Sequence, residues 1–371
     1  MEFLELINGF QKNVLGYCDP LSVIAGNDVH FKLSTQKPGP VEITLVRLIS
    51  GDDRPHGTGL IEKDIATDLP QQIDVAYQQV VAGSYALFEM PETQALELEF
   101  LFYPTLLKDE KQTLFNFSGV SLSFNNEALY FDSGDAQTKF TSPLKVNRWH
   151  RVSVSSAQKE VSVTRLPQGP GERELSEVCS IADKVKVTSG TWYLACRFPG
   201  DGHFNGKLEG FIVRDSLETI SAWDFSEEVR SSRVLDISGN GHYGELRQTP
   251  TRGVRGQSWD GSEQRWVGNP GHYSAVHFHE DDLTNAEWKD TLVWHVPEEL
   301  PSGQYALKLV QDDSEDYVVF FVRPGLGQSK SDILYLVPSA SYLAYANHRM
   351  NLGEGGGMAS VSKSLIRNAN D

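Results

Sequence analysis

The feature that most limits what this chain can fold into is the period of its apolar residues. Residues 95–103 read ALELEFLFY, with apolar and acidic side chains taking turns over the first half. Residues 41–48 (VEITLVRL) and 29–33 (VHFKL) alternate in the same way. Successive side chains of an extended strand point to opposite faces, so such runs bury one face and leave the other wet. Further runs at 114–117, 120–124, 128–131, 149–155, 161–166, 191–196 and 208–213 are cut by Gly, Asn, Asp and Pro turns. No long segment between 84 and 225 repeats its apolar residues at the helical period. Many short strands at this spacing predict a sandwich or jelly roll.

The rest of the chain divides by texture. Its 371 residues allow two or three domains, each with its own core. Residues 1–13 predict a short amphipathic helix with Phe3, Leu4, Ile7 and Phe10 on one face. Residues 51–80 read as a long loop with a short helix or strand edge, and 226–275 as turns with few strands. Strands resume at 276–279 and 291–296, and 303–309 with 317–322 predict a hairpin. After a linker at 324–329, the apolar run 333–337 (ILYLV) predicts a buried parallel strand. The tail from Gly353 reads as flexible and polar. The expected fold class is mainly β. A split immunoglobulin-like sandwich covers 11–85 and 276–325, and a second sandwich is inserted at 86–275. The beginning of an α/β domain, expected to be incomplete, covers 330–371.

Charge narrows the partners. Fifty acidic against 33 basic residues give a net charge of −17, which repels nucleic-acid phosphates and anionic membranes. No stretch reaches the roughly 20 apolar residues of a membrane span. The N-terminus lacks the basic and then apolar pattern of a secretory signal. Cys18, Cys179 and Cys196 are too few for a disulfide framework, so free thiols and a cytoplasmic location are expected.

Several residues invite chemistry. His277 and His279 share one face of a strand and precede Glu280, Asp281 and Asp282, as in a metal cluster or merely a polar strand end. Asp236, with Ser238 and Asn240, could offer oxygens to Ca²⁺ or simply make a tight turn. The loop Asp132-Ser133-Gly134-Asp135 reads as an exposed turn. In WHRVSVS (149–155), Trp149 is expected inward and His150 outward. Glu97 and Glu99 have no third carboxylate in register, which excludes a glucanase signature. No P-loop, dinucleotide-binding glycine turn or Gly-x-Ser-x-Gly elbow occurs.

Two resemblances sharpen these expectations. The segments 147–154 (NRWHRVSV), 206–211 (GKLEGF), 223–226 (WDFS) and 236–244 (DISGNGHYG) resemble, in order, a laminin-G-like domain of the concanavalin-type lectin/glucanase superfamily. That sandwich hosts lectins, enzymes and inert spacers, so the likeness implies fold and not function.

The second covers nearly the whole chain to about Arg349. Segments 15–22 (LGYCDPLS), 45–52 (LVRLISGD), 276–283 (VHFHEDDL), 302–306 (SGQYA), 320–324 (FFVRP) and 337–347 (VPSASYLAYAN) resemble, in order, the large (beta) subunit family of N,N-dimethylformamidase. The resemblance implies an N-terminal β region interrupted by the lectin-like sandwich and followed by an α/β catalytic domain. It implies hydrolysis of the C–N bond of small amides at a mononuclear Fe(III) held by two tyrosines and a glutamate. Phenolates are hard anionic ligands that suit ferric iron, which polarises a carbonyl and acidifies a bound water. Tyr342 or Tyr345 is the implied first tyrosine, and the motif does not choose between them. The remaining ligands are expected in sequence beyond this chain, since family members run about twice as long. The expected partners are a small amide substrate, further protomers and a small subunit. The competing reading is a non-catalytic sandwich that binds a carbohydrate or a protein.

Overall fold

The computed structural model describes residues 12–345, apart from 53, 55, 118, 135, 182–184, 186, 217 and 329–330. Residues 1–11, which carry the apolar face of the expected N-terminal helix, lie outside it, as do Asp135, Asn347 and the tail from 353.

The described chain is strand and turn almost throughout, as the alternation requires. It opens with β1 (Val14–Asp19), β2 (Ser22–Ile24), β3 (Asp28–Thr35), β4 (Gly39–Asp52), β5 (Gly59–Asp64) and β6 (Gln72–Val75). A second set follows: β7 (Tyr85–Met90), β8 (Leu96–Pro104), β9 (Gln112–Phe117), β10 (Val120–Phe124), β11 (Leu129–Ser133), β12 (Gln137–Lys139), β13 (His150–Ser155) and β14 (Glu160–Arg165). It continues through β15 (Leu175–Ser180), β16 (Gly190–Leu194), β17 (Gly206–Asp215), β18 (Glu218–Asp224), β19 (Arg233–Asp236), β20 (Gly244–Arg247), β21 (Thr251–Val254) and β22 (Ala275–Phe278). Last come β23 (Leu292–His295), β24 (Gly303–Gln311), β25 (Ser314–Arg323) and one short helix, α1 (Ser339–Tyr345).

These elements form two compact units. One runs from Val81 to Ala286, and the other takes the residues up to Val80 and from Glu287 onward. The strand Ala275–Phe278 pairs with β17 and β21, so it belongs to the inserted unit, and the boundary falls after Ala286 rather than at 275.

In the discontinuous unit, β1, β3 and β23 make a three-stranded sheet, and β2, β25, β24, β4 and β5 make a second sheet with β6 on β4. The late hairpin is present: β24 and β25 pair antiparallel from Gly303↔Val322 to Gln311↔Ser314. Asp312 takes the left-handed conformation (φ 53°) that this two-residue turn demands. The core gathers Phe31, Trp294, Tyr305 and Phe320 with the inward Val, Ile and Leu of both sheets. Phe31 meets Phe320 edge-on at 5.6 Å. The stretch 51–80, expected as a long loop with a short helix or strand edge, supplies two strands, β5 and β6.

In the inserted unit a continuous order runs β12-β11-β10-β9-β16-β7-β20-β19-β18-β17-β8-β13-β14-β15. Leu96, Leu98, Phe100 and Phe102 of β8 are all buried, one face of ALELEFLFY. Phe88 stacks on Trp223 at 3.6 Å and Phe117 on Trp192 at 3.6 Å. Each buried ring of this size is worth about 2–3 kcal/mol, so these aromatic pairs hold the unit closed. β19, β20 and β21 lie in the stretch read as turns; four residues are too few for alternation to show.

Two expectations are corrected. His150 is buried, not outward: it opens β13 on the face of Val152 and Val154, with its ring on Phe102 at 4.9 Å. Trp149, expected inward, is buried as well: it precedes the strand and packs on Tyr103 in a small cluster with Leu166 and Ala275. The apolar run 333–337 is not a buried strand. Ile333, Leu334 and Leu336 are more than four-fifths exposed and no strand pairs with them. A parallel strand needs neighbours and covered faces, and the described residues supply neither.

The last glycine of DISGNGHYG has a steric cause. A Cβ at Gly244 would fall 1.9 Å from the Phe88 ring, and that ring is already stacked on Trp223. Gly244→Ala is therefore expected to cost the inserted unit roughly 1–3 kcal/mol by overpacking. Urea unfolding followed by tryptophan fluorescence reads it; an unchanged midpoint would contradict the packing described.

Candidate functional site

The sequence candidates in the inserted unit fall in two places. The first is the turn after β22. Its alternation does bring the His277 and His279 rings together, with centroids 4.0 Å apart. The acids that follow go separate ways. Glu280 forms an ion pair with Lys108, and its amide donates to Asn205 Oδ1 at 3.2 Å. Asp281 is exposed. Asp282 Oδ2 accepts the Ser84 hydroxyl at 2.6 Å and lies 3.3 Å from His279 Nδ1.

Ser84, fully buried, is the hub of a clasp. Its amide donates to the His279 carbonyl at 2.9 Å, and its hydroxyl oxygen accepts the His279 amide at 3.1 Å. Beside it the Gly83 amide donates to the Asp282 carbonyl at 2.8 Å. Gly83 has φ 107°, and a Cβ there would fall 2.4 Å from the His203 ring, so only glycine fits. His203 in turn reaches the Ser84 carbonyl through Nδ1 at 3.2 Å.

His277 sits opposite Lys207 on β17. Burial, then the neighbouring His279 and Lys207 charges, push its pKa down to about 4. Its Nε2 is enclosed with no hydrogen-bond partner among the described residues. A facing ammonium opposes a cation at this ring. Among the described residues no three His, Cys, Asp or Glu side chains converge as a metal-holding group.

The second place is the turn after β19. Asp236 is buried and spends both oxygens on backbone amides: Oδ1 accepts from Ala222 and Ser238 at 3.0 Å each, and Oδ2 from His242 at 2.9 Å. Burial alone would raise its pKa, but these hydrogen bonds outweigh burial and hold the carboxyl below its usual range. Asn240 Nδ2 donates to the Thr219 and Ile220 carbonyls at 2.9 Å. Asp236 therefore spends on backbone amides the carboxylate oxygens that a Ca²⁺ site would need, and Asn240 stitches the turn to β18 through its amide nitrogen.

Tyr342 lies on α1, whose first turn hangs from Pro338: the Ser341 and Tyr342 amides donate to its carbonyl at 3.0 and 3.1 Å. The Tyr342 ring is half-buried. The Tyr335 phenol hydrogen-bonds to it and, with burial, raises its pKa. Tyr335 is a neighbour that the sequence offered only as part of an apolar run. Tyr345 ends the helix, and its side chain lies outside the described residues. Phenol oxygens are the right chemistry for ferric iron.

The family described as N,N-dimethylformamidase beta subunit-like, C-terminal, matches residues 251–366. The N,N-dimethylformamidase beta subunit of an Alcaligenes species is 28% identical over 96% of this chain and 55% of its own length. That of Paracoccus aminophilus gives 28% identity over the same shares. The chain is thus similar to N,N-dimethylformamidase beta subunits along nearly all of its own length. It spans about half the length of these curated relatives. Among solved structures, a carbohydrate-binding protein from Bacteroides ovatus, described as putative, covers 64% of this chain and is itself covered to 91%, at 10% identity and a TM-score of 0.34, too distant to carry an argument. Within the family match lie β22, the clasp turn and Tyr342. No helix among the described residues is long and apolar enough to cross a membrane.

Two of the three histidines with depressed pKa, His150 and His277, set a pH dependence. Burial pushes His150 to about 4, as it does His277, against an ordinary 6.5. Both are neutral in the fold, while the unfolded chain takes up protons as pH falls below about 6.5. Their contribution to stability is complete above that pH and is lost progressively as pH falls toward 4. Thermal unfolding across this window should show a shallower decline for His150→Gln than for the parent; parallel declines would contradict it.

Proposed function

We propose that this chain is the β-rich part of an amide hydrolase of the N,N-dimethylformamidase type, which cleaves the C–N bond of small amides by adding water to give an amine and a carboxylate. The observation that supports it is the match to the beta subunits over 96% of the chain. Residue patterns from both units and from α1 contribute in the same order. In this reading the two β units are scaffold. They present surfaces to a small subunit and to other protomers.

Tyr342 or Tyr345 would supply the first ligand to ferric iron, with the other ligands coming from sequence that the relatives have beyond the matched half. When bound, the metal would polarise the amide carbonyl and acidify water. The Tyr335 hydrogen bond raises the Tyr342 pKa further above its ordinary value, so ligation as a phenolate would have to displace that contact.

The test is metal analysis and an absorbance scan on a protein of the relatives' full length, beside an assay of amine release from N,N-dimethylformamide. Near-stoichiometric iron, a tyrosinate-to-iron charge-transfer band lost in Tyr342→Phe or Tyr345→Phe, and amine release are expected. A full-length protein with neither iron nor amide hydrolysis would overturn the reading.

A further inference from the structure

One face of the inserted unit gathers cations that no carboxylate answers. Elsewhere in this unit Lys108 meets Glu280, Arg151 meets Glu99 and Glu174, Arg233 meets Glu228, and Arg247 meets Glu245. Lys207 and Arg255 have no such ion pair among the described residues; their contacts are with carbonyl oxygens and aromatic rings. In a chain of net charge −17, two adjoining cations without an anion mark a place where an anion would be welcome.

The strands set further donors beside them. Tyr103, Lys207, His277 and Thr251 stand directly opposite one another on β8, β17, β22 and β21. Opposed residues of an antiparallel pair share a face. With strands about 4.8 Å apart, an ammonium, an imidazole and a hydroxyl therefore follow in one line. Lys207 Nζ lies 5.1 Å over the Tyr103 ring and donates to the Arg255 carbonyl at 3.2 Å. An ammonium has three protons to give, so this one keeps donors in hand. Arg255 is itself held by the Trp259 ring, 4.0 Å away, and by the Gln264 side-chain carbonyl at 3.1 Å. Thr251 is exposed, so the line opens to solvent at that end.

The carboxylates beside this line are turned elsewhere. Glu209, two residues along β17, accepts the Ser274 hydroxyl and the Gln257 amide. Asp282 accepts the Ser84 hydroxyl and faces His279 Nδ1. The charges that act on His277 are those of His279 and Lys207, both positive. His277 Nε2 has no hydrogen-bond partner among the described residues, whereas enclosed polar nitrogens ordinarily have one. A neutral imidazole protonated at Nε2 is a donor, as are the ammonium and the hydroxyl on either side of it. A cation placed here would meet Lys207, and in a half-buried setting that repulsion is stronger than in water. An anion gains from the same field.

We propose that the Lys207–His277–Thr251 line binds a small oxyanion, a carboxylate or inorganic phosphate, with Lys207 supplying the opposite charge and His277 Nε2 and the Thr251 hydroxyl fixing its oxygens. The site lies in the inserted unit and uses none of the tyrosines, so the proposal stands whether or not the chain takes part in amide hydrolysis.

The test is calorimetric titration of the chain with sodium formate, sodium acetate and sodium phosphate at constant ionic strength. Saturable binding of at least one is expected, weakened about tenfold or more by Lys207→Met, which keeps the stem on Tyr103 and removes the charge, and measurably by Thr251→Val at the exposed end. Arg197→Gln, a cation outside the line, should leave binding unchanged. Thermal unfolding shows whether each variant is folded. Binding of formate or acetate without phosphate assigns the site to carboxylates, and the reverse assigns it to phosphate. Absence of saturable binding by all three, binding indifferent to both Lys207→Met and Thr251→Val, or an equal loss in Arg197→Gln would each overturn the proposal.

Discussion

The inserted unit depends on one knot of hydrogen bonds. Ser84, where the chain arrives, grips His279 and Asp282, where it is about to leave. An insertion can fold on its own only if its two ends lie side by side. Here four backbone and side-chain contacts hold them so, and Gly83 gives way to the His203 ring. The discontinuous unit solves the same problem in its own residues. The Gln78 side chain bonds both the amide and the carbonyl of Lys289, and Trp288 Nε1 donates to the Gln79 carbonyl at 3.0 Å. Buried polar groups are tolerable only when paired, and at both crossings the pairing is what defines the boundary.

The same economy governs the polar residues that look most chemical. Asp236 satisfies three amides of its own turn. Arg252 donates to the carbonyls of Phe225, Glu227, Glu228, Ser231 and Arg233, fixing a whole loop with one guanidinium. Glu209, buried and with its pKa raised by that burial, accepts from Ser274 and from the Gln257 amide. Side chains spent on such links are not free for a substrate.

The sequence made the strand faces legible wherever a run was long enough to alternate. ALELEFLFY, VEITLVRL and YVVFFV each lie on strands with the inward set buried. It could not show β19–β21, because four residues give too little periodicity. It misplaced His150, because the strand starts one residue after Trp149. It read 333–337 as buried, because apolar content alone says nothing about what is available to cover a strand. For the site, the period of two correctly put His277 and His279 on one side. That their neighbour Asp282 would answer to Ser84 could not be read, since the partner lies nearly two hundred positions earlier.

The most direct measurement is thermal unfolding of the parent and of Asp282→Ala, each with and without zinc. If His279 and Asp282 serve as the clasp of the inserted unit, the substitution costs about 2 kcal/mol and zinc shifts neither protein. A parent stabilised by zinc, with the gain abolished in Asp282→Ala, would contradict the clasp and return these residues to metal binding.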